Sequence, residues 1–354
     1  MTRMENVIII GSGPAAWTAA MYAARASLNP LVIEGDVTQE NQEKNTLPMG
    51  QLALTAEVEN FPGFPPGRLT EYLNSAIPGS RLAMLAPRDS EETTIFGAEI
   101  VELIRAQAVH CGTRVVTSDV VDADFAGLPL KLIDSIGKVY ETDTVIVATG
   151  ASANYLGLPS EDRFKNRGVS ACAVCDSGLP RFRDVPVAVV GGGDAAVEEA
   201  LYLTKTASKV YVVHRRDVLR ASKIVAQRAM EHPKVEILWN TIPKEILGND
   251  KDGVTGMLLQ STSGQPDREI AVSGVFVAIG HTPNSKFLRG KIDLTEKGYI
   301  IRPVPFRSNT SIPGVFAAGD VADDYYRQAN TAAAAGCMAA IDAERYIALS
   351  NPTR

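Results

Sequence analysis

Twice in this chain a short aliphatic run ends in a glycine-rich loop and opens a helix. The first is Val7-Ile8-Ile9-Ile10 leading into Gly11-Ser12-Gly13-Pro14-Ala15-Ala16, with an alanine-rich helix predicted from about Pro14 to Ala26. The second is Val187–Val190 leading into Gly191-Gly192-Gly193-Asp194-Ala195-Ala196, with a helix predicted over Asp194–Leu203. At such a junction glycine permits a tight turn and close approach of the backbone to a pyrophosphate, and the helix N-terminus offers N–H groups to the anion. A glycine loop alone is a weak signal, and the βαβ context strengthens both. Pro30–Glu34 reads as the second strand of the first unit, and Glu34, followed by Gly35, falls where an acid holds a ribose 2′-hydroxyl. Lys209–Val213 reads as the second strand of the second unit. It ends in His214-Arg215-Arg216, with Arg220 shortly after, and arginines there suit a 2′-phosphate. The chain is therefore predicted to be an α/β protein with two Rossmann-like dinucleotide-binding domains. The first takes a nucleotide with a free ribose, and the second takes NADPH rather than NADH.

The two units are nested. Val145-Ile146-Val147-Ala148-Thr149-Gly150 precedes the second unit, and Gly274–Gly280, ending Val277-Ala278-Ile279-Gly280, follows it. Residues 1–150 and 281–354 are read as one domain and 151–280 as a domain inserted into it. The second part of the outer domain contains Val315–Asp320. The crossings, near Gly150–Ser152 and Gly280–Pro283, are small or turn-forming and are candidate hinges or plain linkers.

With 354 residues, 45% hydrophobic and 21% charged, the chain suits two buried cores. A net charge of −6 argues against a broad nucleic-acid surface. The apolar run Thr331–Leu349 is interrupted by Asp342, Glu344 and Arg345, so it reads as a buried helix with a wet end and not as a membrane span. The run Val7–Ile10 is too short for a signal peptide. Cysteine occurs only at 111, 172, 175 and 337, which fits a reducing cytosol and predicts a cytoplasmic protein.

Cys172-Ala173-Val174-Cys175 lies between the two glycine loops. Two intervening residues let the pair close a small disulfide, and a place near a helix start lowers a thiol pKa from about 8.5 to about 7 or below. Half a zinc site is the alternative, but the remaining cysteines are isolated and histidine is scarce. Asp176 follows directly, either as a proton donor and acceptor in thiol–disulfide exchange or as a cap for the next turn. Cys111 and Cys337 are expected to be small core residues.

With these residues assembled, the chain resembles the low-molecular-weight thioredoxin reductases. The match runs through Gly11–Ala16, Gly50-Gln51, Glu59–Gly63, Ala148–Gly150, Gly168–Asp176, Gly191–Ala196, His214–Arg216, Ala278–Pro283, Gly319-Asp320 and Arg327–Ala329. The resemblance implies a homodimer whose outer domain binds FAD. It places FAD against Gly11, Ser12, Gly13, Pro14, Ala15, Glu34, Gly35, Gly50, Gln51, Leu52, Asn60, Ala148, Thr149, Gly150, Gly319, Asp320, Arg327, Gln328 and Ala329. It places NADPH against Gly191, Gly193, Asp194, Ala195, His214, Arg215, Arg216, Arg220 and Ile279. It makes Cys172 and Cys175 the redox pair, Cys175 nearer the flavin, with Asp176 beside them and thioredoxin as partner. It also implies that the inserted domain rotates, because nicotinamide and dithiol must both reach one flavin.

The chain departs from that family at Ala16, Ser177, Ala195 and Asn330. The largest departure is a segment of about 68–96 where the family has a short turn. Its Leu69–Ile77 is predicted as one helix, and its Arg88–Glu92 is charged. A surface excursion is the plain expectation for it, and a contact with a partner or cofactor is the alternative. Three rival functions remain at this level. They are a reductase fed by ferredoxin, one serving another protein disulfide, and a non-catalytic flavin-binding sensor.

Overall fold

The strand β1 (Met4–Ile10) sets the pattern of the outer unit by alternation. Val7 and Ile9 face one apolar layer, and Ile8 and Ile10 face the other. Successive strand side chains point to opposite faces, so a run buried on both sides belongs in the middle of a covered parallel sheet. Each of these four aliphatic side chains, buried to 4% exposure or less, contributes about 1.5–3 kcal/mol.

The computed structural model of the chain describes residues 4–37, 50–55, 57–58, 60–64, 70–85 and 95–350. Glu59, Gly67–Leu69 and the charged stretch Arg88–Glu92 lie outside the described residues. The chain divides into two units, one of Met1–Ser152 with Thr282–Arg354 and the other of Ala153–His281.

In the outer unit β1 is flanked by β2 (Leu31–Ile33), itself beside β3 (Arg114–Val116). On its other side lies β6 (Val139–Val147), which leads to β5 (Leu130–Asp134) and then β4 (Val120–Asp124). The pairs β3–β2, β2–β1 and β1–β6 are parallel, and β6–β5 and β5–β4 are antiparallel. One edge of β6 is shared. Its first half pairs with β5, and Val145–Val147 pairs with the parallel strand Val315–Ala317 from the far end of the chain. The helices Pro14–Arg25, Gly97–His110 and Ala329–Ser350 contribute to one apolar layer around Trp17. Gly336 lets the first and last of these meet, because a Cβ there would stand 2.1 Å from the Ala15 carbonyl oxygen.

The inserted unit repeats the plan. Its parallel sheet runs Val235–Leu238, Lys209–Val213, Pro186–Val190, Gly274–Val277, Val169–Ser170. The helix Asp194–Leu203 packs Ala196, Ala200 and Leu203 against one face. An antiparallel sheet of Thr241–Asn249, Gly253–Ser261 and Arg268–Ala271 contributes Ile246, Met257, Leu259 and Ile270 to the core on the other. The two crossings run side by side, Ala151–Ala153 pairing with His281–Pro283.

Two expectations are corrected. The described part of the 68–96 segment is no loose excursion. It forms helices at Thr70–Ala76 and Gly79–Leu82, and Leu73 and Ile77 are buried against Val58, Ile95, Ile100 and Leu103. Apolar residues at i and i+4 share a helix face, and here that face closes onto the Gly97–His110 helix. Cys111 and Cys337 are half-buried and not core residues, and neither forms a disulfide among the described residues. No helix among the described residues is long and apolar enough to cross a membrane.

Candidate active site

The first loop is held by glycine where no other residue fits. Gly11 has φ 122°, and a Cβ on it would stand 2.3 Å from the Ala148 carbonyl oxygen. Ala148 N–H in turn donates to the Ile10 carbonyl, so the ends of β1 and β6 meet beneath the loop. Gly13 caps the following helix in extended conformation with no side-chain hydrogen bond, and Pro14 and Ala15 begin the helix, while Ser12 is buried. The first N–H groups of that helix are left for a ligand. Gly319, at φ 75°, lies against this loop, where a Cβ would stand 2.9 Å from that of Ala15.

Gly319 thereby fixes Asp320 beside the loop. Its Oδ1 is buried without a hydrogen-bond partner. Burial, with the charge of Asp323 adding, pushes its carboxyl up to about 7 despite Arg327. A buried acceptor left unpaired is costly, so this atom marks a place where a polar ligand group completes the structure.

Glu34 follows β2 and is buried, and its carboxylate is already engaged. Arg105 donates from Nε to Oε2 at 2.9 Å and from Nη2 to Oε1 at 3.3 Å, and Thr117 Oγ1 donates to Oε1 at 2.9 Å. A carboxylate has about four acceptor positions, so one on Oε2 stays open for a ribose hydroxyl. Arg105 and Thr117 were not legible as site residues, lying 71 and 83 positions from Glu34 with no local pattern.

Gly35 has φ 100° and takes the chain away from the site. Gly50, at φ 76° with open space around it, starts the short helix that carries Gln51 and Leu52. The Asn60 carbonyl accepts from Asn330 Nδ2 at 2.9 Å, which ties that segment to the start of the C-terminal helix. Arg327, in the left-handed region at φ 48°, has its N–H bound by Asp323, and Gln328 and Ala329 lead into the same helix. Thr149 and Gly150 join the returning chain. Thr149 Oγ1 donates to the Asn284 carbonyl at 2.8 Å, and Asn284 N–H donates to the Gly150 carbonyl at 3.0 Å. The outer site thus offers free helix N–H groups, an acid with one open position and an unpaired buried acid. That donor and acceptor set fits a dinucleotide with a free ribose.

The second loop has the same frame and opposite chemistry. A Cβ on Gly191 would stand 2.6 Å from the Ala278 carbonyl oxygen, and Gly193 caps the next helix with open space above it. Asp194 Oδ1 accepts from Ser222 N–H at 2.8 Å, which holds its carboxyl below the usual range. Ala195 and Ile279 are exposed. Arg215, Arg216 and Arg220 are all exposed, and none of them has an ion pair among the described residues.

His214 differs from the expectation of a ligand contact. It is buried, with Nδ1 3.1 Å from the Gly191 carbonyl oxygen and Nε2 2.9 Å from that of Val218. Both ring nitrogens are turned onto backbone carbonyls, one of them as the N–H donor, so His214 shapes the loop and leaves ligand contact to the arginines. Gly192 must lack a side chain for this, since a Cβ would stand 2.2 Å from the imidazole.

Cys172 and Cys175 form a disulfide with a Cα–Cα distance of 5.3 Å. Cys172 caps the helical turn Ala173–Asp176, its Sγ accepting from Cys175 N–H at 3.1 Å. A thiolate at that position is favoured by the helix N-terminus. The following turn, Pro180–Phe182, is capped at Leu179 with no side-chain hydrogen bond, so Asp176 does not serve as its cap. Ser170 Oγ receives the Cys172 N–H at 3.0 Å. Burial raises the Asp176 carboxyl, opposed by a hydrogen bond to Ser170, so it keeps a proton more readily than an exposed aspartate. Val174 between the cysteines is half-exposed, which leaves the turn reachable from outside the unit.

A family model described as pyridine nucleotide-disulphide oxidoreductase matches residues 5–336. The chain is 44% identical over 351 residues to thioredoxin reductase 1, mitochondrial, of Arabidopsis thaliana, spanning 98% of this chain and 84% of that protein. It is 44% identical over 346 residues to thioredoxin reductase 1 of Saccharomyces cerevisiae, spanning 97% and 98%. The solved structure of thioredoxin reductase from Giardia duodenalis is similar, with a TM-score of 0.83 at 36% identity over 98% of this chain and 99% of that one. The chain therefore belongs to the pyridine nucleotide-disulphide oxidoreductase family and, within it, to the low-molecular-weight thioredoxin reductases.

Proposed function

We propose that this protein is an NADPH-dependent thioredoxin reductase whose outer unit holds FAD and whose inserted unit holds NADPH and the reducible disulfide. The carrying observation is Cys172–Cys175, a disulfide on an accessible turn in the same unit as three exposed arginines with no ion pair among the described residues. The Gly11–Ala15 loop, Glu34 and Asp320 would hold the pyrophosphate, ribose and a polar flavin group, with Gln51, Asn60 and Arg327–Ala329 closing around them. Arg215 and Arg216 would bind the 2′-phosphate, Arg220 adding charge, and the Gly191–Asp194 turn the pyrophosphate. When bound, the flavin supplies two-electron chemistry that links NADPH to the disulfide.

The chain's own residues do the rest. The Cys172–Cys175 bond takes two electrons and two protons and opens to two thiols. Asp176, which burial makes keep a proton more readily than an exposed aspartate, would give and retrieve one at the sulfurs. One cysteine thiolate attacks the thioredoxin disulfide and forms a mixed disulfide. The other cysteine then attacks that bond, restoring Cys172–Cys175 and releasing reduced thioredoxin. The same reading includes a homodimer, on the strength of the resemblance, and a cytoplasmic location, on the low number of cysteines. It also includes rotation about the crossings Ala151–Ala153 and His281–Pro283.

The test is anaerobic NADPH added to purified yellow protein, native and with Cys172→Ser or Cys175→Ser. Flavin bleaching is expected in all three, and thioredoxin reduction only in the native protein. Thioredoxin turnover in both variants would show another exit for the electrons. Bleaching by reduced ferredoxin alone would replace the donor, and no bleaching at all would leave a sensor.

A further inference from the structure

Gly79–Leu82 belongs to the segment of about 68–96 that the reaction leaves unused. Its Arg81 reaches into the nucleotide end of the outer unit. Arg81 Nε donates to Glu102 Oε2 at 2.7 Å and Nη2 to Oε1 at 2.5 Å, a two-point clamp. The remaining nitrogen, Nη1, lies 3.7 Å from Glu34 Oε1. The Glu34 and Glu102 side chains are 2% and 1% exposed, so neither charge is relieved by water. Burial alone would lower the proton affinity of Arg81, but the Glu102 bonds and the charges of Glu102 and Glu34 raise it overall. Leu73 and Ile77, buried against the Gly97–His110 helix, fix where the Arg81 turn sits.

The four groups alternate in sign: Glu102, Arg81, Glu34, Arg105. Glu102 and Arg105 are three residues apart on one helix, a spacing at which their side chains meet. With Arg81 removed, Glu102 would be a buried carboxylate without its partner, and Arg105 would be the cation within reach. Arg105 would then be divided between Glu102 and Glu34.

We propose that Arg81 is a positioning residue for the outer dinucleotide: it neutralises Glu102 and so reserves Arg105 for Glu34, the acid that takes the ribose. The turn Gly79–Leu82 is by this account part of the nucleotide site. The inference rests on the reading that the outer unit holds FAD.

The experiment measures FAD binding, not turnover. FAD is stripped from purified protein with concentrated halide, and its return is titrated by flavin fluorescence, with the melting temperature of the stripped protein recorded alongside. Arg81→Met is expected to weaken FAD about tenfold or more, the scale of one charged interaction. Arg81→Met combined with Glu102→Gln removes both charges, leaves nothing to compete for Arg105, and is expected to restore affinity to within about threefold. NADPH affinity is expected to be native in both. If the single variant does not fold, the charge-balanced double variant decides alone: near-native FAD affinity supports the proposal. Native FAD affinity in the single variant, or weak binding by a folded double variant, overturns it. Failure of the underlying reading looks different, because native protein would then bind no FAD at all, and this proposal would fall with it.

Discussion

The two glycine loops share a backbone plan and differ in where they keep their charge. At the end of the outer unit's second strand, Glu34 is buried and gripped by Arg105 and Thr117. At the end of the inserted unit's second strand, Arg215 and Arg216 stand exposed with no ion pair among the described residues. The outer site is organised before any ligand arrives, so the cost of ordering its polar groups is met in folding. The inserted site keeps its cations hydrated and engages them only when an anion arrives. The first arrangement suits a cofactor kept through many turnovers, and the second suits a nucleotide that must enter and leave.

Arg215→Ala with Arg216→Ala tests this contrast most severely. Charged hydrogen bonds contribute about 1.5–3 kcal/mol each, so losing two should cut the preference for NADPH over NADH about 100-fold or more. Since both side chains are exposed and unpaired, the melting temperature should stay within about 1 °C of native. Equal native use of the two nucleotides, read as a ratio of kcat/KM values, would remove the distinction between the loops.

Glu34→Gln should behave in the opposite way. Breaking a buried ion pair on one side costs about 3–5 kcal/mol, and here Arg105 would lose its anion. Thermal denaturation should show a clear loss of stability together with weaker FAD retention, while NADPH selectivity stays native. A variant as stable as the native protein would mean that Glu34 is not organised in advance.

The smallest effect is a pH dependence. In the flavin-free protein the buried Asp320 carboxyl is raised from 3.8 to about 7. Between these values the folded protein holds a proton that the unfolded chain has released. Stability from this group is therefore lost as pH rises across that window and is level above it. Melting of stripped protein at pH 5 and pH 8 should show a fall of a few degrees, and Asp320→Asn should flatten it. An unchanged slope in that variant would assign the fall to other groups. Asp194 of the inserted unit, exposed and held below its usual range by Ser222 N–H, works with the opposite sign, its contribution being lost only as pH falls.

Much of this was legible in the sequence because its cause is local. A continuous aliphatic run, Val7–Ile10, made β1 readable. The helix Asp194–Leu203 and the strand Lys209–Val213 fall where the pattern put them. Gly11 is set by a turn that needs φ 122°, and Cys172 and Cys175 by the two residues between them. The residue types at the two strand ends, one acid and three arginines, stated the difference between the loops without any coordinates.

What the sequence left undecided depends on contacts between distant positions. The grip of Arg105 on Glu34 spans 71 residues and the clamp of Arg81 on Glu102 spans 21. Neither has a period or a motif to announce it. His214 reads as a ligand contact beside Arg215 and Arg216, yet the fold turns it inward onto Gly191 and Val218. The segment of about 68–96 reads as an excursion, because a short helix of ordinary composition does not show what its apolar face will cover. Asp320 is one aspartate among many until Gly319 packs it against Ala15 and leaves Oδ1 without a partner. Local stereochemistry is written residue by residue, and so the sequence determines the turns, the strands and the redox pair. Burial and charge pairing depend on which segments meet, and only the tertiary structure decides that.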